Sequence, residues 1–190
     1  MTAPQDYFPA LLARISGPEA ASARALLAQA AAEHPRDARP LLLLAAEHVH
    51  AKEIDLAEAT YIAALQRAPD FAIARFQLGL LQLTSARPAA ASATWAPLDA
   101  LPPTEPLRLF KTGLELLAQD RFDEARRLLL EGIAQNRTNP ALNRDMQLVI
   151  TRIDQRDAAG ASPAAPAAAG AQDAAPTSDH FLVSSYGKLQ

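Results

Sequence analysis

The sequence predicts an all-helical fold, and three observations carry that expectation. Of its 190 residues 49% are apolar but only 5% are aromatic, so Ala and Leu supply most of the apolar content. Such residues favour helices, whereas strands draw on β-branched and aromatic side chains. Pro35, Pro69 and Pro103 stand 34 residues apart, each after an apolar pattern of helical period, and proline disfavours helical backbone in the residue before it. Short polar or Gly/Pro breaks fall at Ser16-Gly17-Pro18, Lys52 to Asp55, Ala86-Arg87-Pro88 and Gln119-Asp120-Arg121. They cut each unit into two helical segments, as antiparallel helix pairs require.

The same 34-residue ruler aligns further columns. Ala23, Ala57, Ala91 and Ala125 form one. Leu27, Tyr61, Trp95 and Leu129 form a bulky one. Ala30, Ala64, Leu98 and Gly132 are mostly small, as are Leu11, Ala45, Gly79 and Gly113. Alternating small and bulky columns suit stacked helices, because small residues let axes approach and bulky ones fill the space beside them. Pro9 places the start of the first helix close by, since proline is tolerated only in a first turn. Pro97, with Pro102, Pro103 and Pro106 behind it, predicts a short or kinked helix and an irregular junction between the third and fourth units.

These units resemble the tetratricopeptide repeat. The second unit matches best, through Leu44-Ala45, Ala57, Tyr61, Ala64 and Pro69. The third matches through Leu78-Gly79, Ala91, Trp95 and Pro103. The fourth matches through Gly113, Phe122, Asp123-Glu124-Ala125 and Gly132, with Arg137 where the family has proline, and the first only through Ala23, Ala30 and Pro35. The resemblance covers residues 4–139. It implies a right-handed superhelical solenoid of about four antiparallel helix pairs. Residues 140–157 continue a helical pattern through Leu142, Met146, Val149, Ile150 and Ile153 with charges opposite, the mark of a terminal cap with a polar outer face. A helical domain over 4–157 is therefore expected. Residues 158–178, rich in Ala, Pro and Gly, read as a disordered linker. Residues 179–190 bring back apolar side chains, with Phe181, Leu182, Val183, Tyr186 and Leu189 as a candidate docking motif.

Three more columns run along the first helix of each unit: Phe8, Leu42, Phe76 and Phe110; Leu12, Ala46, Leu80 and Leu114; Ile15, Val49, Leu83 and Leu117. Within a unit they are spaced i, i+4, i+7, which is one helical stripe. In the family this resembles, that stripe lines the concave face. The resemblance thus implies a partner-binding groove of Phe8, Leu12, Ile15, Leu42, Val49, Phe76, Leu80, Leu83, Phe110, Leu114 and Leu117, with Ile73 and Leu107 on its rim. The alternative is that curvature buries the stripe between neighbouring first helices. An open groove this apolar should be covered by a partner. Arg39 and Arg75 are the nearby cations, too few for a clamp on a partner's terminal carboxylate.

Other chemistries find no support. The net charge is −3 with no basic block, so nucleic acid is not an expected partner. With no cysteine, disulfides, thiolate chemistry and cysteine-ligated metals are excluded. His48 and His50 are two apart and cannot chelate as an i, i+4 pair does. Glycine-rich phosphate loops and nucleophile elbows are absent, and the expectation is no cofactor, no metal and no enzyme. The N-terminal residues do not read as a signal peptide, and no segment reaches the ~20 apolar residues of a bilayer span. The expectation is a cytoplasmic protein that binds an apolar helical or extended segment of another protein. The C-terminal tail is expected to be a second contact or a self-ligand, in cis or in trans. The alternatives are a type III secretion-type chaperone shielding an export substrate, and a structural protein that self-assembles by docking its tail in trans.

Overall fold

The computed structural model describes residues 6–17 and 22–160, and among these it is all-helical. The elements are α1 (Phe8–Ile15), α2 (Ala23–Glu33), α3 (Arg39–His50), α4 (Ile54–Arg67), α5 (Ala72–Thr84), α6 (Pro88–Trp95) with a 3-10 turn (Ala96–Ala100), α7 (Pro106–Leu117), α8 (Phe122–Gln135) and α9 (Pro140–Gly160). Each helix packs on its neighbour in the chain, most extensively α3 on α4, α5 on α6 and α7 on α8. The helices stop and restart at the expected breaks. Pro9, Pro40, Pro88 and Pro106 all sit in first turns, where the missing N–H costs nothing.

The turns inside three successive pairs are built identically. Lys52, Ala86 and Asp120, 34 residues apart, take left-handed backbone with φ of 61°, 58° and 58°. The amides of Lys52, Ala86 and Asp120 donate to the carbonyls of Val49, Leu83 and Leu117 at 2.9, 3.1 and 3.1 Å. The following amides, of Glu53, Arg87 and Arg121, donate to His48, Gln82 and Leu116 at 2.9, 2.9 and 3.0 Å. This double closure is the Schellman motif, which caps the last carbonyls of a helix and normally uses glycine at the left-handed position. Here Lys, Ala and Asp occupy it instead.

Small columns meet bulky ones where the helices of a pair touch. A β-carbon on Gly113 would lie 3.0 Å from Leu129, and one on Gly132 would lie 2.5 Å from the ring of Phe110. The core forms two clusters that share α5: Leu78 and Leu81 face the N-terminal one, and Phe76 the C-terminal one with Trp95, Phe110, Leu129 and Met146.

Polar ties link consecutive pairs. Arg24 of α2 reaches Glu53 at 3.1 Å, and Glu58 of α4 reaches Arg87 at 2.7 Å. These are the same two columns with the charges exchanged. In the third unit the acid column holds Ser92, and Arg121 turns to Glu124 of its own helix instead.

The two irregular places have local causes. At Pro97 the second helix of the third pair gives way to the 3-10 turn, whose Leu98 is buried. Lys111, almost buried, pins this turn to α7 by contacts to Asp99 at 2.8 Å and Glu115 at 2.9 Å. At the fourth unit an asparagine network replaces the proline that Arg137 displaces. Buried Asn136 donates through Nδ2 to the Asn139 carbonyl (2.9 Å) and to Asn143 Oδ1 (2.8 Å), and Asn143 Nδ2 donates back to the Asn136 carbonyl (2.9 Å). Asn139 Oδ1 then accepts from the Leu142 amide at 3.0 Å, an N-cap for α9.

Helix α9 buries Leu142, Met146, Ile150 and Ile153 and exposes Arg144, Gln147, Leu148, Thr151 and Arg152. Arg144 and Gln147 stand in the columns of Phe110 and Gly113. The helix runs three residues past the expected limit at 157. Residues 161–178 of the expected linker, the motif at 179–190 and residues 1–5 and 18–21 lie outside the described residues.

Candidate protein-binding surface

The predicted groove divides between core and surface. Phe8, Leu12, Ile15, Leu42, Phe76, Phe110 and Leu114 are buried, four of them at 0% exposure, so these seven are corrected from groove to core. The aromatic column explains the burial. The Phe76 and Phe110 rings pack on one another at 6.3 Å between centroids, and Phe76 also stacks on Trp95 at 5.8 Å. Phe110 lies against the bare backbone of Gly132 in α8. The small columns draw the paired helix in, and the phenylalanine beside them fills the remaining gap. The stripe is thus part of the pair's packing, not surface added to it.

What remains accessible is the other half of the stripe. Ile73, Leu80, Leu83, Leu107 and Leu117 are half-buried and Val49 is exposed. Leu148 on α9 extends the Leu80 and Leu114 column by another 34 residues and is 61% exposed. Sequence reading missed it because Arg144 interrupts the aromatic column one turn earlier. Leu56 and Ile62 of α4 and Leu130 of α8 are also exposed, on second helices that the first-helix stripe did not include.

A cleft of about 220 Å³ lies between α6 and α7. Leu83, Pro88, Ala89, Ser92 and Trp95 line one side, and Glu115, Ala118 and Gln119 the other. It lies mainly at the first turns of α6, away from the end where that helix, of 8 residues against 14 in both α4 and α8, stops short.

The two arginines near the stripe are engaged elsewhere. Arg39 pairs with Asp6 and Asp37, both at 2.8 Å, and its guanidinium lies 4.3 Å over the Phe8 ring. Hydrogen bonds from Arg39 hold the Asp6 carboxyl down to about 2. Burial pushes Asp37 up, but the bonds from Arg39 and Tyr7 outweigh it and leave it below the usual range. Arg75 donates to the backbone carbonyls of Thr94 (3.3 Å) and Pro69 (2.7 Å). These contacts tie α1 to α3 and α5 to α6 and use the forked donors that a carboxylate clamp needs.

His48 is half-buried against Glu53 at 2.6 Å, His50 is exposed, and no group of three metal-ligating side chains occurs among the described residues. No helix among them is long and apolar enough to cross a membrane. No protein-family model matches the sequence, and no curated protein matches it.

Proposed function

We propose that this chain is a non-catalytic protein–protein interaction module, an adaptor or scaffold built as a right-handed superhelical solenoid of tetratricopeptide-like helix pairs. It binds an apolar helical or extended segment of a partner along the accessible half of the first-helix stripe. The observation that carries this reading is the set of apolar residues in fixed columns of successive helices that keep part of their surface accessible, exposed Val49 and Leu148 and half-buried Leu80, Leu83 and Leu117. Singly exposed apolar residues are normal on any protein. A run that recurs in fixed columns of stacked helices is the pattern on which an amphipathic helix docks through its own i, i+3, i+4 and i+7 anchors. Its helices supply rigid positions, and packing has already met the entropy cost of holding them there.

The test is capture of partner proteins by wild type against Leu83→Glu/Leu148→Glu, both chosen because neither side chain is fully buried. Retained melting temperature with loss of a specific partner supports the reading. Undiminished capture overturns it. Phe76→Glu does not serve here, because Phe76 is wholly buried and an unpaired buried carboxylate would unfold the domain.

A further inference from the structure

We propose that the cleft between α6 and α7 is the seat of this chain's own residues 181–186, Phe-Leu-Val-Ser-Ser-Tyr, docked in cis. The inference rests on the reading of this protein as a binder of apolar peptide and adds an internal competitor to it.

Three observations converge. The cleft has an apolar side, half-buried Leu83 with Pro88 and Ala89 over the wholly buried Trp95, and a polar edge, Ser92, Glu115 and Gln119. A segment with three consecutive apolar side chains and a tyrosine two positions beyond them matches an apolar side with a polar edge.

The second observation is where the chain leaves the fold. Near the end of α9 the Arg156 guanidinium lies 3.4 Å from the ring centroid of Phe122. Asp157 borders the turn at Asp120, Arg121 and Phe122. That turn directly follows Ala118 and Gln119, which form the cleft wall. Helix α9 therefore delivers the chain to the end of α7 where the cleft opens.

The third is length. Residues 161–180 are 20 residues of small and polar composition, whose r.m.s. span as a flexible chain is roughly 25 Å. A tether on this scale gives an effective concentration in the millimolar range. Even weak contacts then hold the segment in place, and a partner must compete with it.

The composition of the chain provides a direct probe. It has one tryptophan, Trp95, in the cleft, and no cysteine. A nitroxide attached to the full chain through Ser184→Cys quenches Trp95 fluorescence only when the two are close. The expected result is a drop of about two-fold or more relative to the same protein with the label reduced, unchanged on ten-fold dilution. Adding Leu182→Asp, or Ala89→Arg on the cleft wall, should abolish it. Absent quenching, or quenching insensitive to both substitutions, overturns the proposal. Quenching that falls on dilution also overturns it and assigns the segment to a second copy. Each of these failures leaves capture of a separate partner through Leu148, which lies outside the cleft, as an independent readout by Leu148→Glu alone, so the two readings fail separately.

Discussion

A β-carbon placed on Gly79 would lie 2.2 Å from Nε1 of Trp95 and 2.5 Å from two of its ring carbons. The indole rests on the bare backbone of α5, and its N–H donates to the Phe76 carbonyl at 2.9 Å. A rigid, fully buried ring with a fixed hydrogen bond cannot yield as an aliphatic chain does. Gly79→Ala should cost about 2–3 kcal/mol, the upper range for an overpacked core, with a shifted Trp95 emission maximum. Gly113→Ala, whose methyl would meet the flexible end of Leu129 at 3.0 Å, should cost about 1 kcal/mol. Urea unfolding of the two variants checks the order.

The left-handed turns predict the opposite sign for glycine. Ala86 holds φ of 58° without a side-chain hydrogen bond to compensate, and the left-handed region costs an L-residue about 1 kcal/mol or more. Ala86→Gly should therefore stabilise the domain by about 1 kcal/mol despite the added freedom of the unfolded chain. A raised urea midpoint with unchanged slope is the expected result.

The exchanged charge columns make a further pairing test. Glu58→Arg or Arg87→Glu alone places like charges across the α4–α6 contact and should lower the melting temperature. The double variant reproduces the polarity of Arg24 and Glu53 one unit earlier and should recover most of the loss. High salt should shrink all three differences, because the pair is partly exposed.

Asp145 sets a pH dependence. Burial pushes its carboxyl up to about 7, against the opposing charge of Arg144. The unfolded group loses its proton near its ordinary value of 3.8, so between that pH and about 7 the folded state binds more protons than the unfolded one. Stability from this group therefore falls as pH rises through that window and levels off above it. Asp145→Asn should flatten the fall. The melting temperatures of wild type and variant should converge near pH 4 and separate near pH 8, with the variant higher.

Much of the fold was legible in the sequence because repetition multiplies weak signals. One Gly or Trp says little, but Gly79 and Gly113 in phase with Trp95 and Leu129 foretold the closest helix contacts. Pro97 likewise foretold the break after α6. The stripe was misjudged at Phe76 and Phe110 because helical period shows that residues share a side without showing what that side faces. From α3 on, each first helix packs on its own partner and on the helix before it, and α5 also meets α7 through Phe76 and Phe110; together these contacts claim most of the stripe. The Asn136 network was not legible as a turn, since its bonds return from Asn143, seven residues on and already in the next helix. The charge exchange between Arg24–Glu53 and Glu58–Arg87 was not legible as a repeat, because each column inverts its sign from one unit to the next.

The polar outer face of α9 carries one more implication. Stacked helix pairs have no inherent length, and each finished pair is a template for the next. Gln147 occupies the position where Gly79 and Gly113 let a partner helix touch backbone, and Arg144 the position where Phe76 and Phe110 fill the gap. Two exposed polar side chains thus stand on α9 where the first helices before it carry their packing residues. A chain carrying Arg144→Phe and Gln147→Gly would present the adhesive edge again, with other molecules in solution as its nearest available partners.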